Sequence, residues 1–257
     1  MATRYTARTS ASTSRLGQIS SGTNRNSTSR PTHFISLPIG HHVQLQESLK
    51  AFTDGLLNCK PALPGVDRSI VIAPRRLHMT LGVMNLENSS GRTLADAQAL
   101  LTRLRPRIME LLDGHSLCIP LTEMNIMNPD RGNADNAHVL WLGPSPDTKD
   151  AQRLKSISEF VNKAFRDAGF IQDRRPLKLH CTIINTSYRR PYRQPFSYNA
   201  ILTSSFIRQF VHSPHNFRDA VKVELGTWSV DEIQICKLGS YGPEGEYVSC
   251  GCCSLAS

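Results

Sequence analysis

Two short strings in this chain carry the residue types that phosphoryl chemistry needs: His78-Met79-Thr80 and His180-Cys181-Thr182. Each lies in a β-like run, Arg76 to Val83 and Lys178 to Ile184, and each histidine follows a Leu that itself follows a basic residue. In a strand, residues i and i+2 point to the same side. His78 and Thr80 therefore share a face opposite Leu77, Met79 and Leu81, and His180 and Thr182 share one opposite Leu179, Cys181 and Ile183. Each copy buries an aliphatic row and presents an imidazole beside a hydroxyl. Two such strands laid side by side would surround one small anion with two imidazoles and two hydroxyls.

Breaking a phosphodiester without a metal calls for a base, an acid, and donors that hold the phosphoryl oxygens. With an ordinary pKa near 6.5, one imidazole can be neutral while its neighbour is protonated beside a phosphate. Each well-placed acid or base contributes about 10²–10⁴-fold in rate. His78 and His180 are thus the candidate catalytic pair, and Thr80 and Thr182 the candidate phosphate-binding donors. Threonine is a poor zinc ligand and neither motif holds a carboxylate, so no metal and no cofactor are expected. Nucleophile-elbow, Walker A, G-x-G-x-x-G and C₂H₂ signatures do not occur. Arg76 and Lys178 share strand parity with the two histidines, and Tyr188, Arg189, Arg190, Tyr192 and Arg193 interleave aromatic and cationic groups, a pattern suited to a stacked base beside a phosphate. A solvated strand end and an ordinary basic loop explain these same residues about as well.

The paired motifs resemble those of the two-histidine (2H) phosphoesterases, the LigT-like and RNA-ligase-like group. Within it they are similar to the branch containing the central domain of A-kinase anchor protein 7 and the C-terminal domain of activating signal cointegrator 1 complex subunit 1. Phe34 to Ile39 is similar to that branch's opening strand, His180 to Arg189 to its second motif with the following Asn-Thr, and Glu246 to Gly251 to its ending. The resemblance covers most of the chain from Thr32 onward. It implies an α+β, two-lobed, pseudo-twofold LigT-like fold, with antiparallel-rich sheets lining a central cleft and helices outside. It also implies a substrate with a 2′,5′ linkage or a 2′,3′-cyclic phosphate, on a small nucleotide or an oligoribonucleotide. Tyr247 joins Arg76, Lys178, Tyr188 and Arg189 as a candidate substrate contact through its place in the family-like tail. The alternative is a nucleotide- or RNA-binding subunit without turnover, in a transcription-coactivator or repair complex. The cointegrator subunit carries an RNA-binding KH module ahead of this domain; the roughly thirty polar residues before the first strand here are too few for one and hold no G-x-x-G clamp.

At 257 residues and 39% hydrophobic content the chain has enough apolar surface for a sizeable core. No apolar run approaches the eighteen or so residues of a membrane span. The net charge of +9 is uneven: residues 1–46 hold five Arg and no acid. A basic chain suits a phosphate-rich ligand. Seven cysteines, several inside apolar segments, indicate a reducing compartment, in the nucleus or cytoplasm, with the Cys250-Gly251-Cys252-Cys253 cluster read as exposed thiols. A monomer with a nucleotide or RNA substrate, possible protein-complex partners and no membrane association is the expected state.

The elements that must position the motifs follow from periodicity. His33 to Ile39 reads as a strand, 41–58 as a helix, Ile70 to Ile72 as an extended lead-in to the first motif strand. A helix from Leu94 to Leu111 should be kinked or split by Pro106. Leu117 to Ile126 and His138 to Leu142 read as strands, Leu154 to Ala168 as a helix stopped by Gly169. Two strands, Val230 to Leu238 and Tyr247 to Cys250, close the order. The expected organisation is a Ser/Thr/Arg-rich disordered tail over 1–30, one domain over 31–253 and a short tail over 254–257. Thirteen of the first thirty residues are Ser or Thr, which cannot bury enough apolar surface to offset ordering. Deleting residues 1–30 should leave the thermal midpoint nearly unchanged. At low salt it should weaken binding of long RNA more than it slows cleavage of a dinucleotide, because five cations leave with it. A large loss of stability or of dinucleotide turnover in the truncated protein would place the boundary elsewhere.

Overall fold

The computed structural model describes residues 30–86, 91–190, 192–210 and 218–256. The Ser/Thr/Arg-rich segment and His212 and His215, the latter two assigned no role from sequence, lie outside these residues apart from Arg30. Ten strands and four α-helices follow in the order β1 (His33–Pro38), α1 (Val43–Leu57), β2 (His78–Met84), α2 (Leu94–Leu112), β3 (Cys118–Pro120), β4 (Glu123–Ile126), β5 (Val139–Gly143), α3 (Lys149–Asp167), β6 (Cys181–Asn185), α4 (Tyr198–Thr203), β7 (Val221–Lys222), β8 (Thr227–Ser229), β9 (Glu232–Tyr241) and β10 (Tyr247–Ser254). Eight strands form one sheet in the order β10-β9-β1-β2-β6-β5-β4-β7, and β3 pairs with β8 in a second. Every strand pairing among the described residues is antiparallel.

The sheet is two four-stranded halves. Strands β10, β9, β1 and β2 make one, β6, β5, β4 and β7 the other, and they meet where the two motif strands lie side by side. That seam pairs through one position, Met79 with Cys181, both fully buried. The aliphatic alternates Leu77, Leu81 and Ile183 are buried with them, and α3 packs across β2 on this side.

A bulge sits in β2 beside the motif. Ile35 pairs with Gly82 and Ser36 with Thr80, which leaves Leu81 as the extra residue. Buried Asn162 of α3 donates its Nδ2–H to the Leu81 carbonyl at 2.6 Å, supplying a partner at the irregularity.

Several expectations change. Helix α2 runs unbroken through Pro106. Its flanks are held from outside, since Arg105 donates to the carbonyls of Ser254 and Ala256 and the helix packs on β10 and α3. Such packing offsets the ~3 kcal/mol a mid-helix proline costs. The single strand expected over Leu117 to Ile126 is two strands in different sheets, because Pro120 has no N–H to continue the ladder. Ile70 to Ile72 reduces to a 3₁₀ turn and one bridge, Val71 to Ile184. Strand β10 extends through Ser254 and Leu255 is buried, so the packed region passes residue 253. Cys253 is buried in that strand while Cys252 is exposed, so the terminal thiols are not uniformly accessible.

Arg189, grouped from sequence with the substrate contacts, is buried instead. Its guanidinium donates to the Gln194 carbonyl at 2.6 Å, the Gly65 carbonyl at 2.6 Å and Asp67 at 2.7 Å. The motif's trailing turn is thereby pinned to the loop before β2. The guanidinium is buried but Asp67 is half exposed, so losing Arg189 costs its hydrogen bonds and packing rather than leaving a buried charge uncompensated. Arg189→Ala should therefore lower unfolding free energy by about 1–3 kcal/mol, against less than about 0.5 kcal/mol for Lys163→Ala, whose ion pair with Asp167 is solvent-exposed. Urea denaturation of both variants checks this; equal midpoints would return Arg189 to the candidate substrate contacts.

Candidate active site

The two motifs are entered by the same local device. Arg76 was expected within the first strand, but Pro74–Arg76 form a 3₁₀ turn, and β2 starts at His78. Proline at the turn's first position needs no donor there. The turn brings the Arg76 carbonyl to the His78 ring, whose Nδ1–H donates to it at 2.7 Å. Lys178 likewise precedes its strand, and its carbonyl accepts from His180 Nδ1 at 2.7 Å. The neutral ring in each half is therefore the Nδ1–H tautomer, with an unprotonated Nε2. The Thr80 hydroxyl lies 3.1 Å from His78 Nε2 and is its donor. Gly40 closes the end of β1 onto this turn: a Cβ there would sit 2.5 Å from the Arg75 carbonyl oxygen.

Register brings the four motif side chains together. Carried one residue either way from the Met79–Cys181 pair, the antiparallel register sets His78 across from Thr182 and Thr80 across from His180. Residues paired across antiparallel strands project to the same face. Trp141 pairs with Thr182 and Asn125 with Trp141 on one side. Ser36 pairs with Thr80 and Gln234 with Ser36 on the other. The face opposite the aliphatic core thus carries His78, Thr80, His180 and Thr182 at its centre.

Burial decides the charge state. It pushes His78 down to about 4, the Arg76 carbonyl opposing this and His180 adding to it. His180 is lowered as well, first by burial and then by the Lys178 charge, with the Lys178 carbonyl bond opposing. Both imidazoles are neutral at pH 7 in the free protein. Burial also lowers Lys178.

Aromatic rings fix the imidazoles. His78 packs against Phe34, at 4.9 Å, and the edge-on ring of Tyr247, at 5.2 Å and 80°, and those two rings also meet edge-on at 4.9 Å. The Tyr247 hydroxyl is 3.3 Å from that of Tyr188, and burial followed by this contact keeps the Tyr247 phenol protonated. Arg76 stacks 4.8 Å over Tyr241 and 5.6 Å over Tyr188. On the other side Trp141 stands edge-on to His180 at 6.4 Å, and Lys178 Nζ lies 4.5 Å over the same indole. Each cation before a motif therefore rests on an aromatic face, an interaction of about 0.5–2 kcal/mol.

Of the residues singled out from sequence, His78, Thr80, His180 and Thr182 converge, and Arg76, Lys178, Tyr188 and Tyr247 surround them; Arg189 does not. Sequence reasoning missed Phe34, Ser36, Gln234 and Tyr241. The signal was available at Ser36, a polar residue alternating with Ile35 and Leu37 in a buried strand. Three hollows border the site. One, of about 270 Å³, adjoins His78 and Tyr247. A second, of about 580 Å³, adjoins Thr80 and His180, and a third, of about 440 Å³, shares Lys178 and Asn128 with it.

Activating signal cointegrator 1 complex subunit 1 of Mus musculus is 26% identical over 227 residues, which is 86% of this chain and 62% of the relative. The chain thus spans less than two thirds of that relative's length. Among solved structures, E. coli LigT complexed with 3′-AMP superposes with a TM-score of 0.52 at 13% identity, covering 88% of this chain and 99% of LigT. The NADP⁺ complex of LigT gives 0.48 at 13% identity, covering 88% and 99%. The fold is that of the LigT-like phosphoesterases. The model of the AKAP7 2′5′ RNA ligase-like domain matches residues 31–255, and the chain belongs to that family.

Proposed function

We propose that this protein is a metal-independent phosphodiesterase acting on a small nucleotide or oligoribonucleotide with a 2′,5′ linkage or a 2′,3′-cyclic phosphate. The observation that carries the reading is the paired Nδ1–carbonyl bond, which leaves two Nε2 atoms as the reactive nitrogens of one half-buried, hydroxyl-lined face. When a diester binds, the Thr80 hydroxyl turns from His78 Nε2 to a non-bridging oxygen, freeing that nitrogen, and Thr182 donates to the other. His78, held neutral most strongly, takes the proton of the attacking water or hydroxyl. A bound diester anion favours the protonated form of His180, which then gives its proton to the leaving oxygen. Arg76, Lys178, Tyr188 and Tyr247 contact the flanking groups. The 3′-AMP complex of LigT supports a nucleotide as ligand. Seven free cysteines support work in a reducing compartment, nuclear or cytoplasmic.

A second reading, a nucleotide- or RNA-binding subunit without turnover, is favoured by the curated relative being named as a subunit of a complex. A panel of 2′,5′-, 3′,5′- and cyclic-phosphate substrates, incubated with and without EDTA, separates the two. Cleavage that persists in excess chelator is expected; tight binding without cleavage of any substrate would favour the subunit.

His78→Ala and His180→Ala should each reduce kcat by about 10²–10⁴-fold, with the double variant little worse than either. Nucleotide affinity should fall much less. Near wild-type rates in both single variants would sink the catalytic assignment.

The pH profile follows from the lowered imidazoles. The base works while His78 is deprotonated, so kcat/KM should fall only as pH drops toward about 4. The acid works while His180 is protonated, and its pKa is also below the ordinary value, so kcat/KM should decline as pH rises to neutrality. A bell with its maximum on the acid side of 6.5 is expected. A maximum above pH 8 would require other groups to move the protons.

A further inference from the structure

The proposed mechanism draws on Tyr188 but leaves three residues of the same basic, aromatic stretch unused: Arg190, Tyr192 and Arg193. A lone exposed ring is ordinary on a protein surface. This one is not alone. Tyr192 is 74% exposed, and the arginines before and after it in the chain are exposed as well. Among the described residues neither arginine has a carboxylate partner. Arg190 donates through one nitrogen to the carbonyls of Ser187 and Arg189, and Arg193 donates through Nε to the Thr186 hydroxyl. Asp67, the acid that reaches this part of the chain, is bound to Arg189. Two uncompensated guanidinium charges thus flank an open phenol ring.

The presentation is fixed from below. Arg189 spans the loop to the Gln194 carbonyl and reaches across to Gly65. Phe196 exchanges backbone bonds with Ala137 in both directions, at 2.9 and 3.1 Å, and the Ser197 N–H donates to the Pro64 carbonyl at 3.0 Å. A tip held on such a base loses little freedom when it binds, which favours affinity. The loop also continues the cleft. The Tyr188 hydroxyl lies 3.3 Å from that of Tyr247, whose ring stands edge-on to His78. The four residues from Tyr188 to Tyr192 reach at most about 14 Å.

We propose that Arg190, Tyr192 and Arg193 form an exosite for a single-stranded oligoribonucleotide, where Tyr192 stacks on a base lying outside the cleft and the two arginines hold the adjoining phosphates. The proposal rests on the phosphodiesterase reading and narrows its substrate from a dinucleotide to a strand that runs past Tyr188. Cations interleaved with an aromatic face suit such a strand, since stacking accepts any base and the charges follow the backbone. A duplex keeps its bases stacked inside and offers none to the ring.

The test uses the full chain carrying His180→Ala, so that binding is read without turnover. Unphosphorylated 2′,5′-linked oligoadenylates, a dimer, a tetramer and a hexamer, are titrated by calorimetry at low and at moderate salt. The hexamer should bind about tenfold more tightly than the dimer. Adding Tyr192→Ala should remove about fivefold of that gain with little change in salt dependence, and Tyr192→Phe should keep it. Adding Arg190→Gln or Arg193→Gln should each flatten the hexamer's slope of log affinity against log salt by about 0.7. Dimer affinity should be the same in all of these variants, and thermal midpoints control for folding. No gain with length, or a gain untouched by every substitution, while the dimer still binds, would overturn the exosite alone and leave these side chains to a protein partner. No binding of the dimer, with no turnover of it by the unsubstituted chain, would overturn the phosphodiesterase reading and this inference with it.

Discussion

The contact on which the rest depends is the antiparallel seam between the two motif strands. It joins the halves through one paired position, Met79 with Cys181, where neither side chain brings a charge. Burial keeps the Cys181 thiol protonated, so the seam is a packing contact and the thiol is no nucleophile. Because strand side chains alternate with a period of two, a slip of one residue would send a histidine into the core and an aliphatic into the cleft. The deep burial of Leu77, Met79 and Leu81 on the reverse side excludes that slip. Core packing and site geometry are one constraint seen from two faces.

Burial also sets the chemistry. Desolvation opposes a charged imidazole, and the carbonyl bond at Nδ1 only partly offsets it. The imidazoles are thereby neutral before a ligand arrives; in the proposed mechanism they become a base and an acid only around an anion. The bulge at Leu81, capped by Asn162, and the Arg189 clamp hold the same arrangement from behind and from the side. Many surface ion pairs, by contrast, lie between exposed partners such as Lys155 and Glu159 and contribute little to it.

Much of this was legible in the sequence because the decisive signals are local. The faces of both motif strands follow from alternation, and α1 and α3 from helical spacing. What was not legible depended on distant partners. Pro106 reads as a break until Arg105 is seen holding the last strand. Arg189 reads as a ligand contact until Asp67 and Gly65 are brought beneath it. Strands β7 and β8, of two and three residues, are too short to show a period at all. The four residues that meet at the seam were singled out by pattern, while Phe34 and Tyr241 needed the sheet order to come beside them.

The sheet order also implies a sequence of assembly. The β6–β5–β4 ladder draws on the middle of the chain. The His78 half does not close so early, because β1 lies between β2 and β9 and is bordered on one side by a strand synthesised well after β6. The edge-on partner of His78, Tyr247, arrives with β10. A ribosome-bound chain would thus hold its first histidine in an unfinished pocket until those strands emerge. Such long-range closure is entropically slow. The two related half-sites would therefore be completed at different times, the one nearer the start of the chain last.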